Sequence, residues 1–219
     1  ALLGAFVVQE ELLVAADRKQ LLGIALVLDV AWVDAFQIIE KHNEYGGGQL
    51  MGSNIANANG YDGSTQIVAV ADTGLGGGTA ATAHVDIPAS RIVSINNWPG
   101  VSDTCWTITN DGAVDVDSGH GTHTALSVVG DGGVSGEGKS PAPAASLVFQ
   151  AVENYADMIG ICGILYPDGY YLTGLNNLNG LYQEAYNAGA RIHSNSWGSD
   201  SNGQYTANVA VLPGEPLTL

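Results

Sequence analysis

Two residues in this chain have the chemistry and the setting for proton transfer. Asp72 closes the short apolar run Gln66–Ala71 and is followed by Thr73 and Gly74. A carboxylate at the end of a buried strand can be shielded, hydrogen-bonded and aimed at a neighbouring group. His120 opens the segment His120-Gly121-Thr122-His123-Thr124-Ala125. An imidazole at a helix start is partly exposed, and Gly121 leaves room for another backbone to approach. A general base needs that exposure, together with a carboxylate that fixes its tautomer and supports the imidazolium. Each residue alone has an ordinary explanation: a strand-end Asp caps a turn, and a His in a Gly-rich turn is commonly inert. Their pairing is what points to catalysis.

The elements that must position the pair follow from periodicity and punctuation. Gln66–Ala71, Arg91–Asn96, Ala145–Val152 and Ala190–Asn195 read as strands. His120–Val129 reads as a helix stopped by Gly130. Leu175, Leu178, Leu181, Tyr182, Ala185 and Tyr186 recur at helical spacing up to Gly189. Strand, strand, helix, strand, helix, strand predicts an α/β fold, a doubly wound parallel sheet with helices on both faces. Functional loops in such sheets lie at the carboxyl ends of the strands, where Asp72 stands. Residues 1–42 have a different texture: an Ala- and Leu-rich stretch, Leu12–Leu28, suits a helix, and Val30–Val33 suits a strand. Residues 43–65, with Gly46-Gly47-Gly48 and a polar stretch to Tyr61 that looks like an exposed linker, read as a linker or the start of the domain that continues over 66–219.

Composition narrows the function classes. The 219 residues hold 22 acidic and 6 basic side chains, a formal net charge of −16, with 46% hydrophobic residues and 30 glycines. This is a globular composition with many tight turns. The negative balance argues against nucleic acid or anionic lipid as a partner. The longest apolar run, Leu21–Val33, is broken by Asp29 and is too short to span a bilayer. Two cysteines, Cys105 and Cys162, allow one intramolecular disulfide, expected if the protein is extracellular, or two free thiols.

Four segments, in order, resemble one family. Ile67-Val68-Ala69-Val70-Ala71-Asp72-Thr73-Gly74 resembles the Asp motif of the subtilisin-like serine proteases, the subtilases, and Gly119-His120-Gly121-Thr122-His123-Thr124-Ala125 their His motif. Pro141-Ala142-Pro143-Ala144-Ala145-Ser146-Leu147 is similar to the approach to the next strand. Ala188-Gly189-Ala190-Arg191-Ile192-His193-Ser194-Asn195-Ser196-Trp197-Gly198 is similar to the substrate-binding strand. The resemblance covers roughly residues 60–206 and implies an endopeptidase with an Asp-His-Ser triad acting on polypeptides. Asp72 would orient His120, His120 would take the serine proton, and Ser196, Trp197 and Gly198 would line the substrate channel by strand-like pairing, with Gly160 and Gly163 on the opposite rim. Ser196 is not the implied nucleophile. No cofactor is needed for that chemistry; the family's habit and the acidic balance allow calcium as a structural ion, but Asp111, Asp115 and Asp117 lack a regular calcium-loop spacing and equally suit capping the turn before His120. Residues 1–42 resemble the end of a subtilase propeptide, the alternative being an N-terminal extension that packs on the domain, and the family implies secretion.

One departure matters. The family's nucleophile lies in a downstream Gly-Thr-Ser motif with an oxyanion-hole Asn between, and neither follows Gly198; the tail Thr206–Leu219 does not continue the family pattern. The chain is therefore expected to be inactive alone and to need the complementing C-terminal part of the protease, or else to be a non-catalytic peptide-binding protein. Other chemistries fit less well. Asp-Thr-Gly is also the aspartic-protease signature, but no second copy exists. His120 and His123 lack a third zinc ligand at a recognisable spacing. Gly133–Ser140 matches the phosphate-loop pattern in letters, yet Pro141 and Pro143 follow where a helix should start.

Overall fold

The computed structural model describes residues 6–8, 11–13, 20, 23, 24, 26, 44–175 and 178–198. The chain divides into two units, Ala1–Lys41 and His42–Leu219. In the first, β1 (Phe6–Val8) and β2 (Glu11–Leu13) pair antiparallel, Phe6 opposite Leu13. The helix expected from Leu12 thus begins inside a strand: two short apolar runs separated by Gln9-Glu10 satisfy each other's backbone before a helix can nucleate. Gln20, Gly23 and Ile24 are helical, while the strand expected at Val30–Val33 lies outside the described residues.

The second unit opens with a wide helical turn, Glu44–Leu50, and helix α1 (Ser53–Ala58), over the residues whose sequence offers either a linker or the start of the domain. The glycines there serve close approach rather than flexibility. Gly48 is buried, and a Cβ on Gly47 would sit 3.1 Å from the Pro141 ring. Ser53 Oγ donates to the Gly47 carbonyl at 2.6 Å, and Asn57 Nδ2 to the Pro141 carbonyl at 3.0 Å, so the segment is docked.

The frame is β3 (Ile67–Asp72), β4 (Ile92–Asn97), β5 (Trp106–Thr109), α2 (His120–Val129), β6 (Ser146–Ala151), β7 (Glu153–Met158), α3 (Cys162–Leu165), β8 (Gly169–Leu172), α4 (Leu178–Asn187) and β9 (Ile192–Asn195). The parallel sheet runs β4-β6-β3-β9. Its two central strands are buried on both faces, which is why Val68–Ala71 and Leu147–Ala151 are almost unbroken apolar runs. Alternation divides them. Val68, Val70, Leu147, Phe149 and Ala151 pack with Ala125 and Val129 of α2, and with Leu75 and Ile87. On the other face Ala69 and Val148 meet Ala185 and Ala190, and Ala71 and Val152 meet Leu181 of α4. Helices therefore cover both faces, as the element order predicts.

A second, antiparallel sheet, β5-β7-β8, has no counterpart in the sequence reading. β7 leaves β6 after the single residue Val152, and its sequence Glu-Asn-Tyr-Ala-Asp-Met lacks a clean apolar alternation. Tyr155 and Tyr170 meet edge to face across it at 5.3 Å. Cys105 and Cys162 form the disulfide, their α-carbons 5.3 Å apart, tying β5 to α3.

Candidate active site

β3 delivers Asp72 to the carboxyl edge of the sheet, where its side chain is 1% exposed. Glycine at 119, in the left-handed region at φ 69°, turns the chain so that α2 starts at His120. His120 Nδ1 lies 2.7 Å from Asp72 Oδ1, and the same oxygen accepts the Thr73 N–H at 2.8 Å. A carboxylate oxygen only accepts, so the imidazole carries its proton on Nδ1 and leaves the Nε2 lone pair free. The His120 side chain is 45% exposed. The arrangement is an oriented base: one nitrogen held from the buried side, the other facing outward.

The sequence reading missed what holds this pair. Thr73 Oγ1 donates to Asp115 Oδ1 and accepts the Gly121 N–H, both at 2.8 Å. Asp115 Oδ2 accepts the Thr122 N–H at 2.9 Å and also its hydroxyl, and Thr122 Oγ1 in turn accepts the Gly76 N–H at 2.9 Å. Asp115 thus joins the end of β3 to the first turn of α2, satisfying free helix N–H groups and placing a negative charge where the helix dipole favours it. A Cβ at 121 would collide with the Gly74 carbonyl oxygen, so Gly121 is the residue that lets helix and strand end come this close. The threonines and Asp115 were legible only as motif letters and turn formers; nothing in their spacing announces a shared network.

Glu153 is a second feature the sequence reading passed over. It stands two residues after Ala151, and alternation puts it on the α2 face with Asp72. It is 7% exposed. Burial first, then the nearby charges of Asp117, Asp115, Asp111 and Asp72, push its carboxyl up to about 7. Burial also raises Asp111.

The other residues of the expected substrate channel separate. Ser196-Trp197-Gly198 continue from β9, which lies beside β3. Ser196 and Gly198 are exposed, and the Trp197 indole donates to the Ala71 carbonyl at 2.8 Å, pinning the segment near the dyad's strand. Gly160 and Gly163 lie at the far end of β7, roughly 20 Å of extended strand beyond Glu153. There Gly160 turns the chain at φ 59° and Gly163 sits within α3. The structure therefore does not bring them to a rim opposite Ser196–Gly198; the strand β7 continues away from the dyad in the antiparallel sheet, and Val152–Asn154 is the part that stays beside it.

As a calcium cage the acidic loop does not fit. Asp115 commits both oxygens to protein donors, and among the described residues no three His, Cys, Asp or Glu side chains converge on a metal position. Of the turn-capping expectation, Asp115 fulfils the part nearest α2. Gly133–Ser140 is a run of turns between α2 and β6 with no helix after it, so no helix N-terminus meets its backbone.

Residues 63–213 match the sequence profile of the peptidase S8 family, the subtilases. The match extends past the roughly 60–206 of the resemblance, taking in Val209–Pro213 of the tail that was read as departing from the pattern. No curated protein matches the chain.

Proposed function

Because the chain belongs to the subtilase family of serine peptidases, we propose that Asp72 and His120 are two members of its Asp-His-Ser triad. The observation that carries this reading is the 2.7 Å contact between a buried carboxylate and a half-exposed imidazole. In the reaction His120 Nε2 takes the proton of a serine hydroxyl as its oxygen attacks the peptide carbonyl, then returns it to the leaving amine. Asp72 holds the ring and stabilises the imidazolium without taking the proton. Asp115 acts through Thr73 and Thr122 as a positioning residue. The substrate adds as a strand along Ser196-Trp197-Gly198, next to the edge strand β9.

The family's serine and oxyanion Asn are not found in motif context in these 219 residues. We assign them to a complementing C-terminal part, so the 219 residues alone do not turn over peptides. The Cys105–Cys162 bond supports an extracellular setting, and no described helix is long and apolar enough to cross a membrane. The test is the purified chain with a peptide ester and a serine-reactive phosphonate. No turnover and no labelling are expected, with activity appearing when the C-terminal part is added. Rapid turnover with a labelled serine in the chain alone would overturn the division of roles; peptide binding without activity after complementation would identify a non-catalytic binder.

A further inference from the structure

Among the described residues the α2 face of the sheet holds buried acceptors without protein donors beside the dyad. Asn97, last residue of β4, is opposite Ala151 and so emerges beside the start of β7. Its Nδ2 donates to Asn110 Oδ1 at 2.7 Å, and the Gly112 N–H donates to the same oxygen at 2.9 Å, drawing the Asn110–Gly112 turn against the strand end. Asn97 Oδ1 and Asp111 Oδ1 are buried there with no protein donor among the described residues. Glu153, 7% exposed and on the same face two residues beyond Ala151, makes no side-chain hydrogen bond among them either, and the charges of Asp117, Asp115, Asp111 and Asp72 act on its carboxyl. Among the described residues no Lys or Arg side chain answers this charge. Those present are Arg91, Lys139 and Arg191. Arg91 is engaged with Asp86, Val129, Asp131 and Ala145, Lys139 acts on Asp62, and Arg191 lies 3.9 Å over the Tyr186 ring.

Burying an unpaired carboxyl among like charges is costly, and the cost is recovered when a charged donor arrives. A group that satisfies these atoms must bring both positive charge and N–H donors, because each of them is an oxygen acceptor. A metal ion is a poor match, since no three carboxylates converge on one point among the described residues. A long side chain ending in an ammonium or guanidinium can reach several spread-out oxygens at once.

We propose that Asn97, Asp111, Asp117 and Glu153 form a subsite for a lysine or arginine side chain of the polypeptide substrate, so that the enzyme selects basic residues close to the bond it cleaves. The inference rests on the protease reading above, and it adds the chemical class of the substrate.

The experiment uses the purified 219-residue chain at pH 8 and low salt, with fluorescent hexapeptides that differ at one position at a time, carrying lysine, arginine, norleucine or glutamate in an alanine background. Fluorescence anisotropy reads the affinity. At one position lysine or arginine should bind about 10- to 100-fold tighter than norleucine, the range of one or two charge-assisted hydrogen bonds, and the gain should shrink as salt is added. Glu153→Gln should bring the lysine-to-norleucine ratio towards one, and the exposed Asp117→Asn should lower it in part; circular dichroism checks that both variants fold. If norleucine peptides bind and no position prefers a cation, the subsite is wrong and the peptide-cleft reading stands. If no peptide of any kind binds, that reading falls and takes the subsite with it. A lysine preference that survives Glu153→Gln, or a calcium-induced rise in melting temperature that Glu153→Gln abolishes without any lysine preference, would also overturn the proposal.

Discussion

The two faces of the parallel sheet are built by the same alternation along β3 and β6, yet they differ in the kind of buried polarity they hold. On the α4 face Gln150 is fully buried and uses both its side-chain atoms: Nε2 donates to the Leu181 carbonyl at 3.0 Å and to Glu184 Oε2 at 2.6 Å, and Oε1 lies 2.9 Å from His193 Nε2, while His193 Nδ1 is buried without a partner among the described residues. The His193 ring therefore carries its proton on Nε2, and burial pushes its pKa down to about 4, so it stays neutral. On the α2 face Asp72 Oδ2, Asn97 Oδ1 and Asp111 Oδ1 are buried without protein donors among the described residues. An amide with both atoms paired fixes structure; carboxylate and amide oxygens without donors beside a half-exposed imidazole suit an incoming donor.

The sharpest way to break this contrast is to remove one polar group from each face in the complemented enzyme. Asp72→Asn should lower kcat by about 10⁴-fold with little change in melting temperature, because the imidazole is left in the wrong tautomer. Gln150→Leu should leave kcat/KM within about threefold while costing roughly 1–3 kcal/mol of stability, since Glu184, His193 and the Leu181 carbonyl each lose a partner. Equal losses of activity in both, tracking the loss of fold in denaturant titrations, would mean the faces do not divide in this way.

The apolar layers should instead behave alike. Phe149→Ala on the α2 face is expected to cost about 3–5 kcal/mol and Leu181→Ala on the α4 face about 2–5 kcal/mol, read by urea unfolding, because both side chains are fully buried.

Between these scales lies the latch under the dyad. Thr122→Val keeps the side-chain shape and removes the hydroxyl that joins Asp115 to Gly76. It should cost about 1–2 kcal/mol and, in the complemented enzyme, lower kcat more than it raises KM, a split that simple loss of stability would not produce.

The smallest effect is the most diagnostic. Glu153 titrates near 7 in the folded chain against an ordinary 4.5. The folded state holds its proton more tightly there, so this residue makes stability fall as pH rises through that window. His193 titrates near 4 against 6.5, so between those values the unfolded state binds more protons and stability rises with pH. Where the windows overlap the two slopes oppose and the wild-type curve should be nearly flat. Glu153→Gln should uncover the rise and His193→Gln the fall, each on the order of 1–2 kcal/mol. Denaturant midpoints measured across pH 4 to 8 decide it; identical profiles for both variants would show that neither group is perturbed by its face.

Much of the frame was legible in residue order alone. Val68–Ala71 and Leu147–Ala151 can only be doubly buried strands, the pattern ending at Gly189 can only cover one of their faces, and Asp72 ends its strand at the edge where parallel sheets place their sites. The segments 67–74 and 119–125 are local, so chain order by itself brings a carboxylate to a strand end and an imidazole to a helix start. The parts that were not legible depend on contacts distant in sequence. Gly46-Gly47-Gly48 looked like a flexible link because nothing local says that Pro141 will lie against it. Gly160 and Gly163 seemed close to the dyad until β7 was seen to pair with β5 and β8 and run away from it. Asp115 and Glu153 are ordinary acidic letters until the fold buries one between two threonines and the other among carboxylates. Periodicity and turn chemistry act over a few residues and are written in the sequence; desolvation and charge proximity are properties of the assembled chain, and they decide which of 22 acidic residues has unusual chemistry.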